Sequence, residues 1–249
     1  MIQEDEVSEN REQPLVTVDV VILTIRPDSE GEQSLHALLV QRKSPPFASH
    51  WAIPGGFVRH NETLDHAAAR ELYEETGVRD VFLEQLYTFG DPGRDPRDRV
   101  ITIAYYALVP SQNLRLAAGG DTSGVCWFPV SRLPEAVAFD HRKILEKALA
   151  RLRNKVEYSS IAFQLLSPIF TMAQLRHVHE VILQRKLDPG NFIHKALASG
   201  VVEPTDQLLS GNRHRPPRLY RFTGLNHQNG SPGSNGSAVG NNSAEVCLP

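Results

Sequence analysis

The chain is predicted to be an α+β protein of 249 residues, in two folded parts. Three features predict this. Strand-type apolar runs dominate up to about residue 130, one acidic helix interrupts them, and from Asp140 the apolar period lengthens to that of helices. The length suffices for two ordinary domains, each able to bury a core. An apolar share of 41% with 22% charged residues is that of a soluble globular protein. A net charge of −3 argues against a chain that is basic throughout, although it leaves room for a local basic face.

In chain order, residues 1–12 are polar and acidic and read as a disordered N-terminal tail. They contain no basic n-region, and no segment of the chain approaches the roughly 20 apolar residues that span a bilayer. Cys126 and Cys247 lie far apart, so no disulfide is expected and a reducing compartment fits. These points predict a cytoplasmic protein without a membrane partner. Pro14–Ile25 and Leu35–Val40 read as strands, and Arg42 to His50 as a loop. Trp51-Ala52-Ile53-Pro54 then leads into Gly55-Gly56. A helix is expected from about Leu64 to Thr76, capped by Asn61 or Thr63 and stopped at Gly77. Strands follow at Val81–Phe89, Val100–Val109 and Val125–Val130, with a charged turn-rich loop over Gly90–Arg99 and a second loop over Ala117–Ser123. Tyr105 and Tyr106 alternate across their strand, which sends one into the core and the other toward the pocket.

Ile144, Leu145, Ala148, Leu149 and Leu152 recur at helical spacing, giving a long helix over about 140–154. Shorter helical patterns cover Met172–Gln184 and Asn191–Ala198, and two short strands are expected at Val201–Glu203 and Arg218–Phe222. The domain boundary is placed near Asn154, dividing the folded chain into 13–153 and 154–222. In residues 223–249, 14 of 27 positions are Gly, Ser or Asn, which marks a disordered C-terminal tail.

The chemistry concentrates in residues 55–78. At about 100° per residue, Glu71, Glu74 and Glu75 fall within an arc of roughly 100° on one helix face. Like charges at this spacing repel, and they sit in the last turns, where the helix dipole is already negative. A hard divalent cation with oxygen ligands would compensate both effects, and no thiol or imidazole set accompanies the acids. For an arbitrary Glu-x-x-Glu-Glu a solvated acidic face is the commoner explanation, so the surrounding pattern has to decide.

That pattern is Gly56, five residues, Glu62, seven residues, then Arg70-Glu71-Leu72-x-Glu74-Glu75-x-Gly77-Val78. It resembles the Nudix box at every defining position, and the flanking strands extend the resemblance over about 13–138. The resemblance implies an α/β/α sandwich with a mixed sheet and hydrolysis of a nucleoside diphosphate linked to a further group. It also implies Mg²⁺ or Mn²⁺ held by Glu71, Glu74, Glu75 and the backbone carbonyl of Gly55. Glu71 is then the candidate base or water-orienting ligand, Arg70 the holder of the carboxylate set, and Glu62 a supporting acid. Arg42, Arg59 and Arg99 are the candidate substrate contacts, with Lys43, Arg94 and Arg97 as further basic candidates. Some relatives use an additional acid from a distant loop. This chain lacks one near Ser123-Gly124, leaving Asp98 or Asp121 as candidates.

Helix, helix, short turn, helix and a two-stranded loop is the order of a winged helix-turn-helix. Phe170 to Leu175, Leu187 to Lys195 and the preceding Phe139-Asp140-His141 and Tyr158-Ser159 resemble the NrtR-type Nudix proteins. That group comprises regulators of NAD metabolism that sense ADP-ribose, together with relatives that hydrolyse it. Residues 154–222 hold nine Lys or Arg against five Asp or Glu, a local excess of four positive charges suited to a phosphate backbone. Lys195, Arg213, Arg215, Arg218 and Arg221 are the candidate contacts to double-stranded DNA. The start of the third helix, Pro189-Gly190-Asn191-Phe192-Ile193-His194, holds no Arg, so few side chains look ready to read base edges. The leading expectation is an Mg²⁺-dependent ADP-ribose pyrophosphatase giving AMP and ribose 5-phosphate. The alternative is a DNA-binding transcription regulator that senses ADP-ribose; the two are compatible. By family likeness a homodimer is expected.

Overall fold

A computed structural model describes residues 13–111, 122–208 and 216–224. The expected tail 1–12, residues 225–249 of the expected tail 223–249 and residues 117–121 of the expected loop Ala117–Ser123 lie outside these residues, as do Asp121, Arg213, Arg215 and Cys247. The first half holds a mixed seven-stranded sheet. Strands β1 (Leu15–Pro27), β2 (Gln33–Arg42), β3 (Trp51–Ala52), β4 (Gly55–Phe57), β5 (Phe82–Phe89), β6 (Val100–Leu108) and β7 (Thr122–Pro129) assemble in the order β3-β2-β1-β6-β5, with β4 paired to β1 and β7 to β2. β1 and β6 run parallel from Leu15↔Val100 to Leu23↔Leu108, and the other pairs are antiparallel.

The central strand β1 is buried on both faces, which is why it reads as a nearly continuous apolar run. Val18, Val20 and Ile22 pack under helix α1 (Leu64–Thr76), against Ala67, Ala68 and Leu72. Val21 and Leu23 face the other way, toward helix α2 (His141–Val156) and its buried stripe Ile144, Leu145, Ala148, Leu149 and Leu152. One helix on each face gives the expected α/β/α sandwich. Tyr105 and Tyr106 are both buried, one in each of these cores, so neither faces a pocket. Tyr105 donates to Asp65 Oδ1 at 2.6 Å, pinning the start of α1 to β6.

After α2 a 3₁₀ turn (Ser160–Leu165) and β8 (Ile169–Phe170) lead to α3 (Met172–Leu183), α4 (Pro189–Ala198), β9 (Val202–Leu208) and β10 (Arg218–Phe222). The three strands form a small sheet in the order β8-β10-β9. A capping box starts α3: Thr171 Oγ1 accepts from the Gln174 amide at 3.1 Å and the Thr171 amide donates to Gln174 Oε1 at 2.7 Å. Glu180, 7% exposed, accepts from the Leu187 amide at 2.8 Å and from Arg176 at 2.9 Å, which fixes the turn between α3 and α4. Asp188 caps α4 at the Asn191 amide (2.8 Å), with Pro189 at the first helical position. This is the winged helix-turn-helix. Its Ile161, Leu175, Val178, Ile182 and Val202 belong to the same apolar cluster as Val21, Leu23 and Leu39 of the sheet, joined by α2. The expected boundary at Asn154 therefore falls inside a helix that contributes to both halves.

Candidate functional site

The site begins with the approach of two strands. β4 lies against β1 with Gly55 opposite Asp19 and Gly56 opposite Val18. A Cβ on Gly55 would stand 2.4 Å from the Val18 carbonyl oxygen and from Asp19 Oδ1, and one on Gly56 would stand 2.3 Å from Glu71 Oε1. The double glycine is therefore required by close approach: the first lets β4 lie on β1, the second admits a carboxylate. Thr63 caps α1, its Oγ1 accepting from the His66 amide at 3.2 Å. Gly77 ends the helix at φ +68°, its amide donating to the Tyr73 carbonyl at 2.7 Å.

With its apolar face committed to the sheet, α1 turns Glu71, Glu74 and Glu75 to the rim beside the double glycine. Glu71 and Glu75 are buried, and Glu74 is open to solvent. Arg70 organises the surroundings. Its Nε and Nη2 grip Glu62 at 3.0 and 2.7 Å, Nη1 meets Glu71 Oε1 at 2.5 Å, and Nη2 reaches the Phe57 carbonyl at 3.3 Å. The fork also brings Nη1 within 3.6 Å of Glu74. This bidentate grip, with a further bond from the Arg59 amide, depresses the Glu62 carboxyl to about 2. Burial raises Glu71 despite the Arg70 contact. Glu75 has no such partner. Burial first, then the Glu71 and Glu74 charges, push it up to about 7, and its Oε2 is a buried oxygen without a hydrogen bond.

A buried unpaired carboxylate oxygen beside two further carboxylates, all hard oxygen donors, fits a divalent cation such as Mg²⁺ or Mn²⁺. Among the described residues no three Asp, Glu, His or Cys side chains already converge on one point, and Arg70 supplies the positive charge on Glu71. Of the basic candidates, Arg59 stands with the acids: its Nη2 is 3.6 Å from Glu74 and its side chain is 66% exposed. Arg42 folds back onto its own loop, donating to the Pro46 carbonyl at 3.0 Å with its guanidinium 5.0 Å from the Phe139 ring centre. Arg99 donates to the Gly90 carbonyl at 2.7 Å, and Arg97 chelates Asp95. Asp98 is exposed and accepts from the Arg99 amide.

Arg94, expected among the phosphate contacts, is instead buried, its side chain only 5% exposed, in a charge network. It holds Asp140 through two bonds of 3.1 and 2.7 Å and approaches Asp19 at 3.6 Å. His141 completes the group, with Nδ1 accepting from the Ile53 amide at 2.9 Å and Nε2 lying 3.7 Å from Asp19 Oδ1. Asp19 escaped the sequence reading. The available signal was a lone charge within the apolar run Val18-Asp19-Val20-Val21, where a buried acid requires a partner.

In the winged helix, α4 buries no residue fully. It presents Asn191, His194 and Lys195 together with Ile193 and Leu197, all exposed. Arg218 is exposed on β10, while its neighbour Arg221 is tied to Glu203.

Comparisons with known proteins identify the family and the fold. Residues 15–148 match the NUDIX domain model, and residues 162–222 match that of the NrtR DNA-binding winged helix domain. An ADPR responsive transcriptional repressor, NtrR, of Acinetobacter baylyi is 37% identical over 216 residues, spanning 84% of this chain and 82% of its own. An ADP-ribose pyrophosphatase of Methanocaldococcus jannaschii is 38% identical over 133 residues, 53% of this chain and 72% of its own. The crystal structure of Shewanella oneidensis NrtR complexed with a 27mer DNA superposes with a TM-score of 0.72 at 34% identity, over 84% of this chain and 93% of that one.

Proposed function

Because the chain belongs to the Nudix family and carries an NrtR-type winged-helix domain, we propose that it is a DNA-binding transcription regulator that responds to ADP-ribose. The observation that carries this reading is the match to an ADPR responsive repressor, which runs through both halves. The pyrophosphatase relative, by contrast, accounts for 53% of this chain. The sequence alone put hydrolysis first; with the second domain matched to a DNA-binding family, the order reverses.

In this reading the Nudix turn and α1 receive the diphosphate of ADP-ribose. Glu71, Glu74, Glu75 and the Gly55 carbonyl hold a divalent cation, and Arg59 lies on the phosphate side. When bound, such an ion neutralises diphosphate oxygens and makes a nearby water more acidic. Arg70 positions the acids, and Arg42 and Arg99 reach the ligand only by leaving their present carbonyl partners. Lys195 on α4 and Arg218 on β10, with Arg213 and Arg215 between β9 and β10, meet DNA phosphates. A homodimer would place two such faces on successive half-sites one helical turn apart, the usual arrangement for helix-turn-helix proteins.

Hydrolysis stands as the second reading, favoured by one observation: the complete acid set is retained, with Glu75 unpaired and raised to about 7. One pair of measurements separates the two. Calorimetry with ADP-ribose and Mg²⁺ reads binding, and chromatography of the same mixture reads AMP. Binding without AMP supports a sensor, AMP on the minutes scale an enzyme, and neither result would defeat both.

A further inference from the structure

We infer that the buried group Asp19–Arg94–Asp140–His141, with helix α2, couples the Nudix turn to the winged helix. It deepens the proposed ADP-ribose response and rests on that reading.

The starting point is what lies on either side of residues 51–55, the arm that delivers the double glycine. On one side the Val20 amide donates to the Pro54 carbonyl at 2.8 Å, and Gly55 lies against Asp19. On the other side the leader of α2 is stitched to the arm. The Trp51 amide donates to the Ala136 carbonyl at 3.0 Å, the Ala138 amide to the Trp51 carbonyl at 2.8 Å, and the Ile53 amide to His141 Nδ1 at 2.9 Å. Because Nδ1 accepts, a neutral His141 carries its proton on Nε2, which lies 3.7 Å from Asp19 Oδ1. The same Asp19 oxygen is the atom that a Cβ on Gly55 would strike. Arg94, from the loop between β5 and β6, closes the group by spanning Asp19 and Asp140.

All four side chains are 10% exposed or less. Burying two acids and a guanidinium is unfavourable until pairing compensates it, and apolar residues of like volume would commonly hold such a junction as well. What the charges add is a defined geometry between three segments distant in sequence, with Asp140 immediately before α2 and His141 its first residue. From there the helix runs into the shared core, its Leu149, Leu152 and Val156 in one cluster with Ile161, Leu175 and Val202 of the winged helix. Close-packed elements transmit displacement, so a ligand that shifts the Gly55 carbonyl moves the arm, the network and the α2 axis together. Asp19, Arg94, Asp140 and His141, buried and paired with one another, are thus positioning residues in this coupling.

The test uses Asp140→Asn and His141→Gln in the full chain, with folding checked by circular dichroism. A duplex selected by the wild-type protein from a random pool serves as the DNA probe. Three quantities are read: ADP-ribose affinity by calorimetry, DNA affinity by fluorescence anisotropy, and the ratio of DNA affinities without and with saturating ADP-ribose. In the wild type that ratio should differ from 1 by about fivefold or more. In the variants it should fall toward 1 while each separate affinity stays within about threefold. A ratio that persists in a folded variant overturns this inference alone. A wild-type ratio of 1 overturns the sensing reading and the inference with it. Hydrogen exchange on the wild type needs no variant: ADP-ribose should alter exchange at the Ile53, Ala138 and Ile144 amides and on into α3. Changes confined to the acidic helix would contradict the coupling.

Discussion

At Glu75 a carboxylate is 8% exposed, with one oxygen unpartnered and two like charges on its own helix face. Its pKa of about 7, raised from 4.5, fixes a direction. Below pH 4.5 the group is protonated in the folded and the unfolded chain alike. Between 4.5 and 7 the folded protein keeps a proton that the unfolded chain has released, so metal-free stability declines as pH rises through that window. Discounted for solvent screening, the effect is about 1–2 kcal/mol. Glu75→Gln should therefore raise the melting temperature in chelator at pH 8, and Mg²⁺ should stabilise the wild type but not the variant. Thermal unfolding in chelator and in Mg²⁺ checks both. At Gly56 the added Cβ of alanine would press on Glu71 Oε1 from 2.3 Å, and the far end of a side chain can yield. Gly56→Ala should keep the fold but weaken ADP-ribose binding in Mg²⁺ by about tenfold, roughly 1.4 kcal/mol by calorimetry. An unchanged affinity would remove Glu71 from the site. The acids and glycines were legible in the sequence because their spacing is local to one turn and one helix. The roles of Asp19 and His141 were not, because their partners come from segments more than 70 residues away.

Among the elements, α1 was readable to the residue because a cap, a period and a left-handed stop all coincide at Thr63, Leu72 and Gly77. Strands β3, β4 and β8 were not, since two or three residues carry no period and exist only through a neighbour's edge. The strand expected at Val201–Glu203 extends to Leu208 because pairing with β10 recruits polar residues that pattern alone assigns to a loop. In α4 and β10 Lys195 and Arg218 are exposed, and we propose that they meet DNA phosphates. Replacing either with Ala should weaken DNA binding by similar factors for specific and random duplexes, and should lower the salt slope of log K by about 1. Titrations at several salt concentrations read this directly. A loss confined to the preferred sequence would instead make that residue a reader of bases.

For the whole molecule, the notable feature is a single apolar cluster reaching from β1 and β2 through α2 to α3 and β9. The length allowed two domains, and the boundary expected near Asn154 falls within α2. What the sequence could not announce is that α2 serves both sides, because its stripe is the same whichever surface it covers. Scanning calorimetry should show one cooperative transition, and Leu152→Ala, a fully buried position, should lower the stability of both halves by about 2–5 kcal/mol. Two separable transitions would mean that the halves are joined only by chain.

In the proposed function the Nudix site reports ADP-ribose to DNA. The most direct measurement is the affinity of the full chain for a duplex it has selected, against a scrambled duplex at the same salt, without and with ADP-ribose and Mg²⁺. We expect preference for the selected duplex, an ADP-ribose-dependent change of about fivefold or more, and loss of that change in Glu74→Gln and Glu75→Gln. Equal affinity for both duplexes, or a preference that ADP-ribose leaves untouched, would contradict it.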